Sequence, residues 1–284
     1  MEKKLILRGA LAGAIAGLLS FLFARIFAEP QIQAAISYES AREAAQGALD
    51  KAAGLPMSHG DHEVFSRAIQ ANVGVGVGII LFGTAMGALF AVGYAICLGR
   101  TGDVRPRSLA MLVALAGFLG FYLVPSLKYP ANPPSIGHGE TIQQRTSLYL
   151  LMVLFSLMFL VAAVWLGQRL QDRLGNWNAA LAAGAAFVVA IGIVMLILPS
   201  FGELASNRAS YGDLATETPQ PLKGADGAIA FPGFPADTLY AFRVYSVAAQ
   251  AILWSAIGLI FAPMADRLLE PARDHRPGGE RVTR

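Results

Sequence analysis

The sequence predicts an all-α membrane protein: a six-helix transmembrane bundle with three long outward loops, the first partly helical. Three observations carry that expectation. The chain is 55% hydrophobic and only 14% charged, where a soluble domain is about a quarter charged. Its mean hydropathy is +0.52. Six stretches are apolar over the roughly 20 residues that a helix needs to cross a hydrocarbon core.

Those stretches are about 5–27, 74–98, 109–127, 148–166, 179–198 and 239–263. They define a transmembrane domain over 1–266, followed by a polar tail over 267–284. Lys3 and Lys4 before the first stretch would also suit a cleaved signal peptide. A retained helix is the reading adopted, because the stretch outruns a signal core and Arg25 stands just before any cleavage point. An even number of spans puts both termini on one side. That side collects Lys3, Lys4 and Arg8, then Arg100, Arg105 and Arg107, then Arg169 and Arg173, then the arginines of the tail. Basic residues in short loops favour the cytoplasm, so both termini are expected inside a bacterial inner membrane. The long loops, 28–73, 128–147 and 199–238, then face outward.

Within the first loop, "PQIQAAISYESAREAAQGALDKAAG" repeats apolar residues at helical spacing, and Gly54 and Pro56 end it. The second, "KYPANPPSIGHGET", and the third, "TETPQPLKGADGAIAFPGFP", are rich in Pro and Gly and read as irregular.

Several functions are excluded or unsupported. The net charge of +3 includes no basic block, so no nucleic-acid partner is expected. The single cysteine, Cys97, lies in an apolar run and permits neither a disulfide framework nor a cysteine metal cluster. No G-x-x-x-x-G-K-[ST] phosphate loop occurs. "VGVGVG" at Val73–Gly78 follows no strand, so it is packing sequence and not a dinucleotide fingerprint. No Ser-His-acid or Cys-His arrangement is suggested, and no catalytic residue is assigned.

Two features remain. Gly9, Gly13 and Gly17, with Ser20 and Ala24, form a narrow small-residue face of the kind that lets helix backbones approach closely in lipid. Polar residues also stand inside or beside the spans. Arg243, Ser246, Gln250 and Trp254 share one face, as do Arg67, Gln70, Gly74 and Gly78, and Arg25 and Glu29 are four apart. They form either a polar vestibule opening outward or a set of interhelical hydrogen bonds and snorkelling side chains.

The stretch "SHGDHE" admits two readings. His59 and His62, three apart, could share a helix face and hold a metal with Asp61, Glu63 and an outward His138. Imidazole suits zinc, copper, nickel and cobalt. Alternatively, Ser58 or Asp61 caps a helix whose first turn favours acidic residues.

Four segments, "LRGALAGAIAGLLSFLFARIFAEPQIQAAISYE", "EVFSRAIQ", "YPANPPSIGHGETIQQRTSLY" and "FPADTLYAFRVYSVAAQAILWSAIGLIFAPMADRL", succeed one another along nearly the whole chain. Their combination of EPxIxxAIxxE, SRxxQ, YPANPP and FPADxLYxFR resembles the bacterial CbtA family, proposed cobalt transporter subunits. The resemblance implies a divalent metal, with cobalt as substrate and no tightly bound cofactor. It also implies a small histidine-bearing membrane partner of CbtB type. A denser histidine run often precedes SRxxQ in that family; here it is reduced to His59 and His62. Ligands would then come from the partner, or from Glu29, Glu39, Glu140 and Asp237 at the membrane entrance. With Arg67, Gln70, Asn132, Arg145, Arg243 and Gln250, these carboxylates make up the expected vestibule. The competing expectations are a non-transporting scaffold or accessory subunit and, third, an enzyme acting at the outer face.

Overall fold

A chain in hydrocarbon has no water to satisfy its backbone, so long apolar runs close their hydrogen bonds within helices. The computed structural model describes residues 2–55, 66–102 and 104–273. Its α-helices are α1 (Glu2–Phe23), α2 (Glu29–Ala52), α3 (Arg67–Ile69), α4 (Val75–Cys97), α5 (Pro106–Gly117), α6 (Val124–Lys128), α7 (Ile142–Ile197), α8 (Ala205–Tyr211) and α9 (Ala236–Arg273). One short antiparallel pair, β1 (Leu222–Lys223) and β2 (Ile229–Phe231), lies between α8 and α9.

Among the described residues, five helical runs are long and apolar enough to cross a membrane: Glu2–Ala52, Arg67–Cys97, Pro106–Lys128, Gly139–Glu203 and Ala236–Leu268. The fourth is 65 residues long and turns back on itself at Gly175. There φ is 71° and ψ 167°, a conformation essentially reserved for glycine. On either side of that turn Gly167 packs against Ala183, so α7 is a hairpin of two apolar stretches. The apolar pattern alone suggests a gap over 167–178; instead the helix persists up to Gly175, because Gln168, Arg169, Leu170, Gln171 and Arg173 are good helix formers.

Three of the runs contain a wider π-helical stretch: Ala24–Ala28, Gln70–Gly74 and Phe118–Leu123. Through the first, the apolar helix continues without a break into α2, so the helical part of the first loop is an extension of the first span. The second corrects an expectation. A face drawn at regular α spacing joins Arg67, Gln70, Gly74 and Gly78, yet Gly74 and Gly78 are exposed. The π turn inserts an extra residue and rotates the remainder of the helix. The buried positions therefore run Ala71, Gly76, Gly83 and Gly87. The third loop, expected to be irregular, carries α8 and the β pair.

The chain divides into two compact units. One comprises 1–22, 71–117 and 249–284. In it the small-residue face of α1 meets its counterpart on α4. A Cβ on Gly17 would stand 3.0 Å from the Ile79 carbonyl oxygen, and one on Gly83 2.6 Å from that of Gly13. Ser20 donates to the Ala249 carbonyl at 2.9 Å. The Trp254 ring covers Gly117, and Phe261 meets Phe90 and Tyr94 edge-on at 5.0 Å. Arg8 donates to the Met264 carbonyl, and Arg107 pairs with Asp266.

The other unit comprises 23–70 and 118–248. Val124, Tyr129, Met152, Ile191 and Val194 form one core, in which Tyr129 stacks on Phe201 at 4.4 Å and donates to the Pro199 carbonyl at 2.8 Å. Ala35, Tyr38, Ile136 and Phe234 form another, anchoring α2 to the third loop through a 3.1 Å hydrogen bond from Tyr38 to the Pro232 carbonyl.

The displaced register makes a paired prediction. Gly13→Ala drives a methyl into the α4 backbone and is expected to cost about 1–3 kcal/mol. Gly78→Ala meets nothing within 4 Å and is expected to be neutral or to gain up to about 1 kcal/mol of helix propensity. Thermal unfolding in detergent separates them; equal losses would argue against the rotated face.

Candidate functional site

The polar residues of the second unit gather into three groups. The first is built on the Pro-rich loop. Arg243, in α9, donates from Nη2 to Asn132 Oδ1 at 2.7 Å and from Nε to the Ala131 carbonyl at 3.4 Å. Asn132 turns its amide nitrogen to Glu217 Oε1. Arg145, in α7, lies 3.8 Å from Glu217 Oε2 and donates to the carbonyls of Ile136 and His138, each at 3.4 Å. The Gly137 N–H donates to the Glu217 carbonyl at 3.0 Å. Two guanidinium groups thus surround one carboxylate and one amide. Burial pushes the Glu217 carboxyl above its usual range, against the opposing pull of Asn132, Arg145 and Arg243.

The second group is an ion pair. Glu29 begins α2 and is buried, 7% exposed; Arg67, opening α3, donates to its Oε1. Ser66 precedes that helix with extended backbone and occupies the cap position, though its side chain makes no cap bond. Ser58 and Asp61, the expected caps, lie outside the described residues, as do His59, His62 and Glu63.

The third is a cleft of about 250 Å³. Glu39, Arg42, Glu43 and Gln46 line it from α2, His138 and Tyr211 from the loops. The imidazole lies 5.7 Å from the Tyr211 ring, centre to centre. Its Nε2 is buried and has no hydrogen-bond partner. Arg42, part of that lining, donates to the Gln220 carbonyl at 2.7 Å.

The expected vestibule is therefore only partly assembled. Asn132, Arg145 and Arg243 come together, and Glu29 and Arg67 pair. Glu39 stands in the cleft. Glu140 is exposed and accepts a 3.2 Å hydrogen bond from Ser206. Asp237 is exposed in the first turn of α9, where a negative charge suits the helix dipole. Neither contributes to a buried site, since both sit at helix starts that face away from the core. Gln70 is half-buried at the start of its π stretch, and Gln250 is half-buried in the other unit. Among the described residues, no group of three or more His, Cys, Asp or Glu could hold a metal ion. The residue that sequence reasoning misses is Glu217, the centre of the first group. It stands in "TETP", a loop with no periodicity, and nothing local marks it as buried.

The fold and these groups define a helical membrane protein with an ordered polar layer in its extramembrane loops, and no assembled catalytic centre among the described residues. The comparisons with known proteins make that class specific. The family model described as "Probable cobalt transporter subunit (CbtA)" matches residues 2–266, and the chain belongs to that family. The family is thus one of transporter subunits, with cobalt as the cargo. No curated protein and no solved structure matches the chain.

The buried charges generate two predictions. Arg67→Ala leaves Glu29 buried without its partner and is expected to cost about 3–5 kcal/mol, largely recovered when Glu29→Gln is added; a thermal double-mutant cycle checks it. Glu217 holds its proton more tightly folded than unfolded, since its folded value lies above the usual 4.5. Its contribution to stability is greatest at low pH and is lost as pH rises through the folded value. Glu217→Gln is expected to flatten that slope in unfolding temperature measured from pH 4.5 upward.

Proposed function

We propose that this protein is the membrane subunit of a divalent metal uptake system, with cobalt as its cargo. The observation that carries the reading is the family match over residues 2–266. On this reading the chain spans a bacterial inner membrane six times, counting the α7 hairpin as two, with both termini cytoplasmic. A small histidine-bearing partner of CbtB type completes the system.

Metal first meets the protein at the outer cleft. His138 lines it, with a buried Nε2 that a side-chain rotation must uncover, and Glu39 and Glu43 on α2 supply negative charge against the one positive charge of Arg42. An imidazole nitrogen exchanges readily for a water on a cobalt or nickel ion. His59, His62, Asp61 and Glu63 are the further ligands this reading calls on. The Arg145–Glu217–Asn132–Arg243 group serves differently. Its net charge is positive, so it repels a cation, but Arg145 holds the carbonyls on either side of Gly137 and so fixes the loop that presents His138. Arg67 and Glu29 likewise position the start of α2. No vestibule of open carboxylates is needed.

One observation favours the accessory-subunit alternative: Glu29 and Glu217, the buried outer carboxylates, are each engaged by arginine. Uptake of labelled cobalt, nickel and zinc at limiting metal decides between them. His138→Ala is expected to lower cobalt uptake several-fold at limiting metal, with recovery when cobalt is raised. Equal uptake by cells with and without the protein would sink the transport reading.

A further inference from the structure

We propose that the flank of the α7 hairpin is a binding site for one anionic phospholipid, with an acyl chain in an apolar groove and the headgroup phosphate on Arg169. The proposal is independent of the metal reading.

The groove has a volume of about 230 Å³. It arises where small residues interrupt large ones. Phe159, Ala162, Ala163 and Trp165 on the first arm and Ala186 and Phe187 on the second are among its lining residues. Toward the turn, Gly167 lies against Ala183. Its lining is apolar, so it would exclude a polar solute and accept a hydrocarbon chain. The hairpin is also the run least covered by protein: 17% of its apolar window is buried, against 28–39% in the other four.

What selects a lipid with a charged headgroup is the cation at the mouth. The Arg169 guanidinium lies over the Trp165 ring, 4.5 Å from its centroid, and that indole is itself a groove wall. Stacking holds the guanidinium in place while leaving its N–H edge free to fork onto phosphate oxygens. Arg173, one turn further on, is exposed and adds a second positive charge; Asp172 beside it offsets one of the two. The exposed Trp177 at the same end is a residue type enriched at the lipid headgroup level. Apolar groove, stacked cation and interfacial tryptophan thus lie in the order of a phospholipid's own parts.

The test is native mass spectrometry of the full-length protein in detergent, exchanged into equal amounts of phosphatidylglycerol and phosphatidylcholine with identical chains. The wild-type protein is expected to retain phosphatidylglycerol with roughly fivefold preference, the size of effect that one basic residue gives near an anionic surface. Arg169→Gln, a change at an exposed position, is expected to abolish the preference while lipid is still retained. Ala186→Trp, which fills the groove, is expected to lower retention of both lipids. Equal retention by the wild type, or an unchanged preference in Arg169→Gln, overturns the proposal. A photo-crosslinking side chain in place of Ala186 gives a second readout in cells: a lipid adduct supports the site, and an adduct to a partner helix overturns it.

Discussion

Within a bilayer, burying an apolar side chain between helices gains little over leaving it in lipid, so helix association depends on how closely backbones can approach. That constraint governs the first unit. Gly9, Gly13 and Gly17 on α1 face Gly83 and Gly87 on α4, and the two ridges interlock so tightly that the carbonyl of each helix occupies the space of the other's missing Cβ. The close approach brings polar backbone and side-chain groups within reach of one another. Ser20 and Arg8, both on α1, can therefore end on carbonyls of α9. Large side chains then fill the space the glycines leave: Trp254 over Gly117, and Phe261 between Phe90 and Tyr94. Small residues decide where the helices meet, and aromatic ones decide how the remaining space is closed.

The second unit answers a different constraint. It buries charge, and buried charge is costly unless paired and hydrogen-bonded. Glu217 is served by Asn132 and Arg145, and Arg243 closes the circuit through the far side of the same amide. These residues come from the Pro-rich loop, from α7, from the loop before β1 and from α9. One carboxylate therefore fixes four segments that share no regular secondary structure. The hub sits against a loop in which Ser135 stands at φ +73° and Gly137 at φ +88°. It also separates two roles that a single expected vestibule merges. Paired charges hold the loops, and beside them His138 keeps a buried Nε2 without a hydrogen-bond partner.

The legible parts of the sequence are those with a period. The glycine face of α1, the helix extending past Pro30 and the apolar runs all come from spacing, and each is present in the structure. A local change of period is what misleads. From Arg67 to Gly78, regular α spacing selects Gly74 and Gly78, whereas the π turn over Gln70–Gly74 selects Gly76, Gly83 and Gly87. No residue type announces a π turn. Glycine at the hairpin tip is similarly silent: Gly175 looks like any other glycine until its φ of 71° is seen. Motif resemblance selects Asn132, Arg145 and Arg243, which the fold brings together, but passes over Glu217, whose surroundings are set by partners distant in sequence. Asp237 and Glu140 stand out by charge alone, and charge at a helix start is explained by the helix itself.

Among the described residues no group of three metal-ligating side chains comes together, which bears on how such a subunit could work. A carrier must bind its ion well enough to collect it and loosely enough to release it, and a site of three or four strong protein ligands would hold a transition metal too long for rapid passage. On the transport reading proposed above, His138, the imidazole that lines the cleft among the described residues, would offer a weak, exchangeable first contact once its Nε2 is uncovered. The remaining coordination must then come from elsewhere: from water, from the histidine-bearing stretch before Ser66, or from another chain. A family described as a subunit is consistent with the last of these, since an incomplete coordination sphere is what one component of a shared pathway would present.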